Sequence, residues 1–194
     1  MIAIIQYNAG NVLSVQHALN RLGVASIITN NPAEIKAADK VIFPGVGHAA
    51  TAMENLQQHQ LISVLTALQQ PVLGICLGMQ LLCAHSEEGN TRCLGIFNQT
   101  VQLFQSKVLK VPHVGWNVIE NCTSNLFTNI PAKACVYSVH SYFVESGEHT
   151  IATSNYIHQF SAAINKNNFY GVQFHPEKSG DIGEEILKNF ITLT

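Results

Sequence analysis

Pro71-Val72-Leu73-Gly74-Ile75-Cys76-Leu77-Gly78-Met79-Gln80-Leu81-Leu82 joins one short apolar run to another, with a cysteine at the seam. The run before Cys76 has the length and character of a buried strand, and the run after it reads as a helix. A strand that feeds directly into a helix must turn sharply. The Gly-x-Cys-x-Gly spacing is the thiol form of a nucleophile elbow. At such a turn the central residue takes strained backbone geometry. Side chains two residues to either side would collide with it, and Gly74 and Gly78 remove that collision. A helix starting at Leu77 directs free N–H groups and its positive end at the sulfur, favouring thiolate and leaving donors for an oxyanion. An isolated cysteine is ordinarily a small core residue. Two glycines at this spacing, between these two runs, single out Cys76 as a nucleophile.

A thiolate nucleophile needs a base. Tyr170-Gly171-Val172-Gln173-Phe174-His175-Pro176-Glu177 alternates like a strand and ends in His-x-Glu. Residues two apart on an extended chain point the same way. Pro176 biases His175 toward extended backbone, so Glu177 is expected to reach one ring nitrogen of His175 and leave the other for Cys76. Nucleophile, base and orienter then follow in the order Cys76, His175, Glu177.

Outward from the elbow, strands and helices alternate. Ile2–Ile5 reads as a buried strand, Asn11 as the cap of a helix bearing Val12, Val15, Leu19 and Leu22, and Val24–Thr29 as a second strand. Val41-Ile42-Phe43 runs into Pro44-Gly45-Val46-Gly47, and a helical pattern continues through Leu68. Residues 93–173 are richer in short strands, and a helix closes the chain over about 182–191. The expectation is an α/β fold, one domain over residues 1–194, with a largely parallel central sheet, flanking helices and extra antiparallel strands in the second half. Ligands of such sheets bind at the carboxyl ends of the strands. The loop after Phe43, the elbow and His175 all fall on that edge. Attack of a thiolate on an acyl carbon needs oxyanion donors. The N–H of Leu77 is one, and Val46 or Gly47 is expected to give the other. Gln80, one helical turn past Cys76, either contacts the substrate or lies on an exposed helix face.

With 194 residues, 11% charged and a net charge of −2, the chain carries no Lys/Arg cluster, which excludes nucleic acid and anionic membrane as partners. So little charge suggests surface buried against another protein. Five scattered cysteines and nine histidines show no metal-ligand spacing, and there is no cofactor motif. Met1-Ile2-Ala3-Ile4-Ile5-Gln6 carries no basic leader, and no apolar stretch approaches membrane length, so the expected location is cytoplasmic.

Gly74-Ile75-Cys76-Leu77-Gly78-Met79-Gln80 together with Phe174-His175-Pro176-Glu177 resembles the class I (triad) glutamine amidotransferases. Pro44-Gly45-Val46-Gly47, Lys110-Val111-Pro112-His113-Val114-Gly115-Trp116-Asn117 and His140-Ser141-Tyr142-Phe143 narrow the resemblance to the glutaminase subunits of imidazole glycerol phosphate synthases. The likeness runs from Ile2 to about Phe190. It implies glutamine hydrolysis through a cysteine thioester and delivery of ammonia to a (β/α)8 cyclase subunit in a heterodimer serving histidine biosynthesis. It also implies backbone contacts from Ser141 and Tyr142 to the substrate, and a partner surface that includes Asn11, Trp116 and Lys178. Ordinary capping for Asn11, a solvated charge for Lys178 and a core position for Trp116 are the plain alternatives. One departure stands out: the family's Asp-Tyr-Gly-x-Gly-Asn is here Gln6-Tyr7-Asn8-Ala9-Gly10-Asn11. Competing functions are a glutaminase for sugar amination in surface polysaccharides and a non-catalytic module on the same scaffold. The intact Cys76, His175 and Glu177 argue against the latter.

Overall fold

A computed structural model of the chain describes residues 1–7 and 11–193. Its first half is built of β1 (Ile2–Ile5), α1 (Val12–Arg21), β2 (Ser26–Thr29), α2 (Pro32–Ala37), β3 (Lys40–Gly45), α3 (Ala49–Gln58), α4 (Ile62–Thr66), β4 (Val72–Cys76) and α5 (Leu77–Leu82). The second half adds β5 (His85–Ser86), β6 (Thr91–Arg92), β7 (Thr100–Leu103), β8 (His113–Val118), β9 (Cys135–His140) and β10 (Tyr142–Val144). It closes with β11 (Thr150–Asn155), β12 (Gln159–Lys166), β13 (Phe169–Val172) and α6 (Gly180–Thr192).

One 11-stranded sheet runs in the order β2-β1-β3-β4-β13-β12-β10-β7-β5-β6, with β11 on β12. From β2 to β13 the pairing is parallel. Beyond β13 it is antiparallel, apart from the β5–β7 pair. The parallel strands are apolar at successive positions because helices cover both faces. Ala3, Ile5, Val41, Phe43 and Val72 pack on one side with α2, α3, α4 and α5. Ile2, Ile4, Ile42, Leu73 and Ile75 pack on the other with α1 and α6. The strict alternation within β1 and β3 is the period of two that separates the faces of a strand. A separate two-stranded sheet pairs β8 with β9, placing Trp116 opposite Tyr137.

The strands expected from sequence are present with shifted ends. β8 begins at His113, inside the Lys110–Asn117 run, and ends at Val118. Two elements of residues 84–92 and the three-residue β10 carry no sequence pattern of their own.

Candidate active site

β4 ends on Cys76, whose φ of +55° and ψ of −112° place an ordinary residue in strained backbone. α5 begins at the next residue, so its first N–H groups have no acceptor within the helix. Gly74 and Gly78 are required, but not through contact with the cysteine. A Cβ on Gly78 would stand 1.8 Å from the Phe43 carbonyl oxygen, and one on Gly74 would stand 2.8 Å from the Met79 nitrogen. Each glycine thus lets backbone pass close by: β3 against the helix start at Gly78, and the first turn of α5 against β4 at Gly74. The collision expected at the central residue is instead with these neighbouring segments.

His175 follows β13, next to β4 in the sheet. Its φ and ψ of −101° and 95° are extended, and its N–H donates to the Tyr137 carbonyl at 2.9 Å. Ring Nδ1 lies 2.8 Å from Oε1 of Glu177, with both side chains only 2% exposed. The expected partnership is present, but its cause differs. β13 stops at Val172, and Glu177 sits in a 3-10 turn over Pro176–Lys178. The turn, not a continuing strand, brings the carboxylate back to the ring. Ser179 fastens this turn to β9, its Oγ donating to the His175 carbonyl at 2.7 Å and accepting from the Tyr137 N–H at 2.9 Å.

The other ring nitrogen, Nε2, is buried with no hydrogen-bond partner at bonding distance among the described residues, as is Oε2 of Glu177. Burial drives the ring toward neutrality. The neighbouring Cys76 sulfur and the hydrogen-bonded carboxylate of Glu177 outweigh it and raise the histidine's pKa from 6.5 to about 10.

One cavity of about 360 Å³ is lined by Val46, Gly47, Cys76, Leu77, Gln80, Ser141, Tyr142 and His175. That volume lies at the small end of ligand pockets, about 300–1,000 Å³. The β3 loop, the elbow, the segment between β9 and β10, and the residues after β13 all reach it. Gly47 has φ +102°, a conformation that favours glycine. Gln80 is buried, not on an exposed face. Its Nε2 donates to the Tyr142 carbonyl at 3.0 Å and to Oε1 of Gln173 at 2.9 Å.

Glu88, Val139 and His140 line the cavity as well, and of these only His140 falls in a segment singled out from the sequence. Glu88 lies in a 3-10 turn, and its Oε2 accepts from the Ala49 N–H at 2.7 Å. Val139 and His140 close β9. Burial lowers the pKa of His140 to about 3, so the ring is neutral.

Asn11, Trp116 and Lys178 lie outside the cavity. Asn11 caps α1, its Oδ1 accepting from the Ser14 N–H at 3.2 Å. Lys178 is exposed on the turn that holds Glu177. Trp116 is 59% exposed and is not a core residue; with Val114 at 57% and Val139 at 36% it forms an apolar stripe on β8 and β9. The departures at Gln6 and Asn8 flank Tyr7, whose hydroxyl donates to the Pro44 carbonyl at 2.9 Å; Asn8, Ala9 and Gly10 lie outside the described residues.

Residues 3–193 match the family model described as glutamine amidotransferase class-I. A Bacteroides fragilis protein described as imidazole glycerol phosphate synthase subunit HisH is 54% identical over 194 residues, covering 99% of each chain. The Haemophilus influenzae protein of the same description is 49% identical, covering 98% of this chain and 96% of its own. Among solved structures, a glutamine amidotransferase superposes with a TM-score of 0.74 at 14% identity, covering 99% of this chain and all of its own. The PurLQS structure from Thermotoga maritima matches with a TM-score of 0.70 at 16% identity, covering 98% of this chain and 96% of its own. At these identities the structural matches speak for the fold alone. By the family match over nearly its whole length and by its full-length relatives, the chain belongs to the class-I glutamine amidotransferases and, within them, to the HisH subunits of imidazole glycerol phosphate synthase.

Proposed function

We propose that this chain hydrolyses L-glutamine through a thioester on Cys76 and passes the ammonia to a cyclase subunit, which makes imidazole glycerol phosphate in histidine biosynthesis. The observation that carries the reading is the juxtaposition of a strained, helix-capping Cys76 with a buried His175–Glu177 pair over one small cavity. The thiolate of Cys76, facing the imidazolium of His175, attacks the δ-carboxamide carbon. The oxyanion that forms is met by the N–H of Leu77 and by that of Val46 or Gly47; one such donor is worth about 3–4 kcal/mol. His175 gives its proton to the departing nitrogen, ammonia leaves, and the acyl group stays on sulfur. His175 then draws a proton from water, which opens the thioester and frees glutamate. Glu177 fixes the ring's tautomer throughout.

The amino-acid end of the substrate is held on the other side of the reacting carbon. Both N–H groups of Gln80 are engaged, so its carbonyl oxygen is the atom left for the α-ammonium group. Glu88 adds a carboxylate in the same cavity, matched to that positive charge. Backbone groups of Ser141 and Tyr142 meet the α-carboxylate. The apolar stripe of Val114, Trp116 and Val139 borders the cavity through Val139 and is the surface assigned to a (β/α)8 partner, to which Asn11 and Lys178 are also assigned. Among the described residues no group of His, Cys, Asp or Glu is arranged to hold a metal, and no helix is long and apolar enough to cross a membrane. The deciding experiment supplies the cyclase subunit and its nucleotide substrate and follows glutamate and imidazole glycerol phosphate together. Equal yields of both support the reading. Glutamate without the cyclised product would place the ammonia in another pathway.

A further inference from the structure

We propose that Gln173 is a fourth catalytic side chain, whose amide N–H stabilises the Cys76 thiolate and holds it for attack. Nε2 of Gln173 lies 3.7 Å from Sγ of Cys76, and Gln173 is 1% exposed. Its placement follows from the sheet. Val172 pairs with Ile75 between β13 and β4, so the next residues along the two strands, Gln173 and Cys76, emerge side by side at the carboxyl edge. The Gln173 N–H bonds the Ala162 carbonyl at 2.9 Å, fixing the backbone beneath the side chain.

Which end of the amide faces sulfur is decided elsewhere in the network. A carbonyl oxygen only accepts, so the Gln80 group at 3.0 Å from the Tyr142 carbonyl is its NH2. That same nitrogen stands 2.9 Å from Gln173, which must therefore present its oxygen there and its own NH2 to Cys76. The Tyr142 carbonyl also orders the histidines. Nδ1 of His140 donates to it at 2.8 Å, leaving Nε2 of His140 to accept from Nδ1 of His113 at 3.3 Å. One carbonyl thus assigns the protons on all four side chains.

The sulfur has a second polar neighbour of opposite sense, the Val139 carbonyl at 3.9 Å. A thiol donates to that oxygen, whereas a thiolate is repelled by it. The Gln173 amide does the reverse and favours the charged form. The titratable groups around the sulfur are His175 after β13, Tyr7 after β1 and His140 on β9; Glu177 acts through His175, and Glu88 and Tyr142 share the cavity. Tyr7 is kept protonated by burial and His140 is kept neutral, so neither changes charge near neutrality. That leaves His175 and Gln173 as the side chains set directly against the sulfur to stabilise its charge.

The proposal rests on reading Cys76 as the nucleophile, and its test follows the thiol rather than glutamine turnover, so the two ideas fail separately. Iodoacetamide labelling of Cys76 is followed by peptide mass spectrometry from about pH 5 to about pH 10 in wild type, Gln173→Leu and Gln173→Glu. The labelling midpoint should rise by about one pH unit in Gln173→Leu. It should rise further in Gln173→Glu, whose carboxylate repels the thiolate. A merely structural amide would lower the melting temperature of both variants without moving either midpoint. Equal midpoints in wild type and a folded variant overturn the proposal. Nuclear magnetic resonance of the 15N-labelled wild type needs no folded variant at 173. The Gln173 side-chain amide should shift at the Cys76 midpoint, and this shift should vanish in Cys76→Ser. An amide resonance indifferent to that midpoint overturns the proposal as well.

Discussion

Cys76 carries a side chain at a φ of +55°, where such strain costs about 1–3 kcal/mol. The clearance that permits the turn comes from Gly74 and Gly78, not from the thiol. Cys76→Ala and Cys76→Ser are therefore expected to fold like the wild type while glutamate formation falls by at least ~10³-fold, as measured by coupled glutamate assay with circular dichroism as the control. Substantial turnover by Cys76→Ala would remove it as nucleophile. His175→Asn should be nearly as severe. Glu177→Gln should lose less than either, because it orients rather than reacts. The same carboxylate helps raise the His175 pKa to about 10. A group raised in the folded state adds stability that is fully present below its unfolded pKa of about 6.5 and is lost as pH climbs through the folded value. In Glu177→Gln the His175 ring resonance should titrate at lower pH than in wild type. An unmoved titration would show that Glu177 does not hold the ring.

At the scale of elements, Gly78 is where α5 and β3 meet. A methyl group there would stand 1.8 Å from the Phe43 carbonyl oxygen, a contact that forces the helix off the strand. Gly78→Ala should cost about 3 kcal/mol or more and lower the melting temperature, with Cys76 labelling altered in parallel. Unchanged stability would refute the steric account. The β8–β9 sheet holds a second pH-sensitive element. Burial lowers His140 to about 3 and also lowers His113. Here the unfolded chain binds the proton that the folded ring refuses, so stability is full above about 6.5 and falls as pH drops toward 3. His140 alone should remove about 2 kcal/mol between neutrality and pH ~5, and His140→Phe should flatten that slope in urea titrations. An identical slope would mean that the ring charges freely in the fold. Much of this architecture is legible in the residues. β1, β3 and β4 announce themselves because both of their faces are buried, and parallel strands bring Cys76, His175 and the Gly47 loop to one edge. The rest is not legible, for reasons of geometry. Gln80 belongs to a helix buried on every side, so an amphipathic argument has no exposed face to use. Glu177 returns to His175 through a 3-10 turn that resembles strand continuation in sequence. Glu88 and Gln173 find their partners across the fold, at distances in sequence that no local spacing encodes.

Over the whole molecule the cavity opens beside an unpaired apolar stripe. Val114, Trp116 and Val139 are 57%, 59% and 36% exposed, and Val139 also touches the cavity that holds Cys76. Ammonia released into water is protonated and lost to chemistry, so a chain whose described residues form no second substrate site beside this cavity gains from working only when a partner covers that opening. The natural control point is the β3 loop. Gly47 sits at φ +102° with open space around its Cα, so its peptide can reorient and turn an N–H into or out of the oxyanion position. A partner shifts that equilibrium only by binding the competent arrangement more tightly; about 3 kcal/mol of difference is worth ~150-fold. Glutaminase activity is therefore expected to be low in the isolated chain and to rise by about two orders of magnitude or more with the cyclase subunit and its nucleotide bound. Gly47→Pro tests the loop itself. Proline removes the N–H and holds φ near about −65°, far from the value observed. Steady-state kinetics and a binding titration on this variant should show turnover lost and complex formation kept. If the isolated wild-type chain is as active as the complex, the coupling does not exist. If Gly47→Pro turns over normally in the complex, the second oxyanion donor must be sought at Val46.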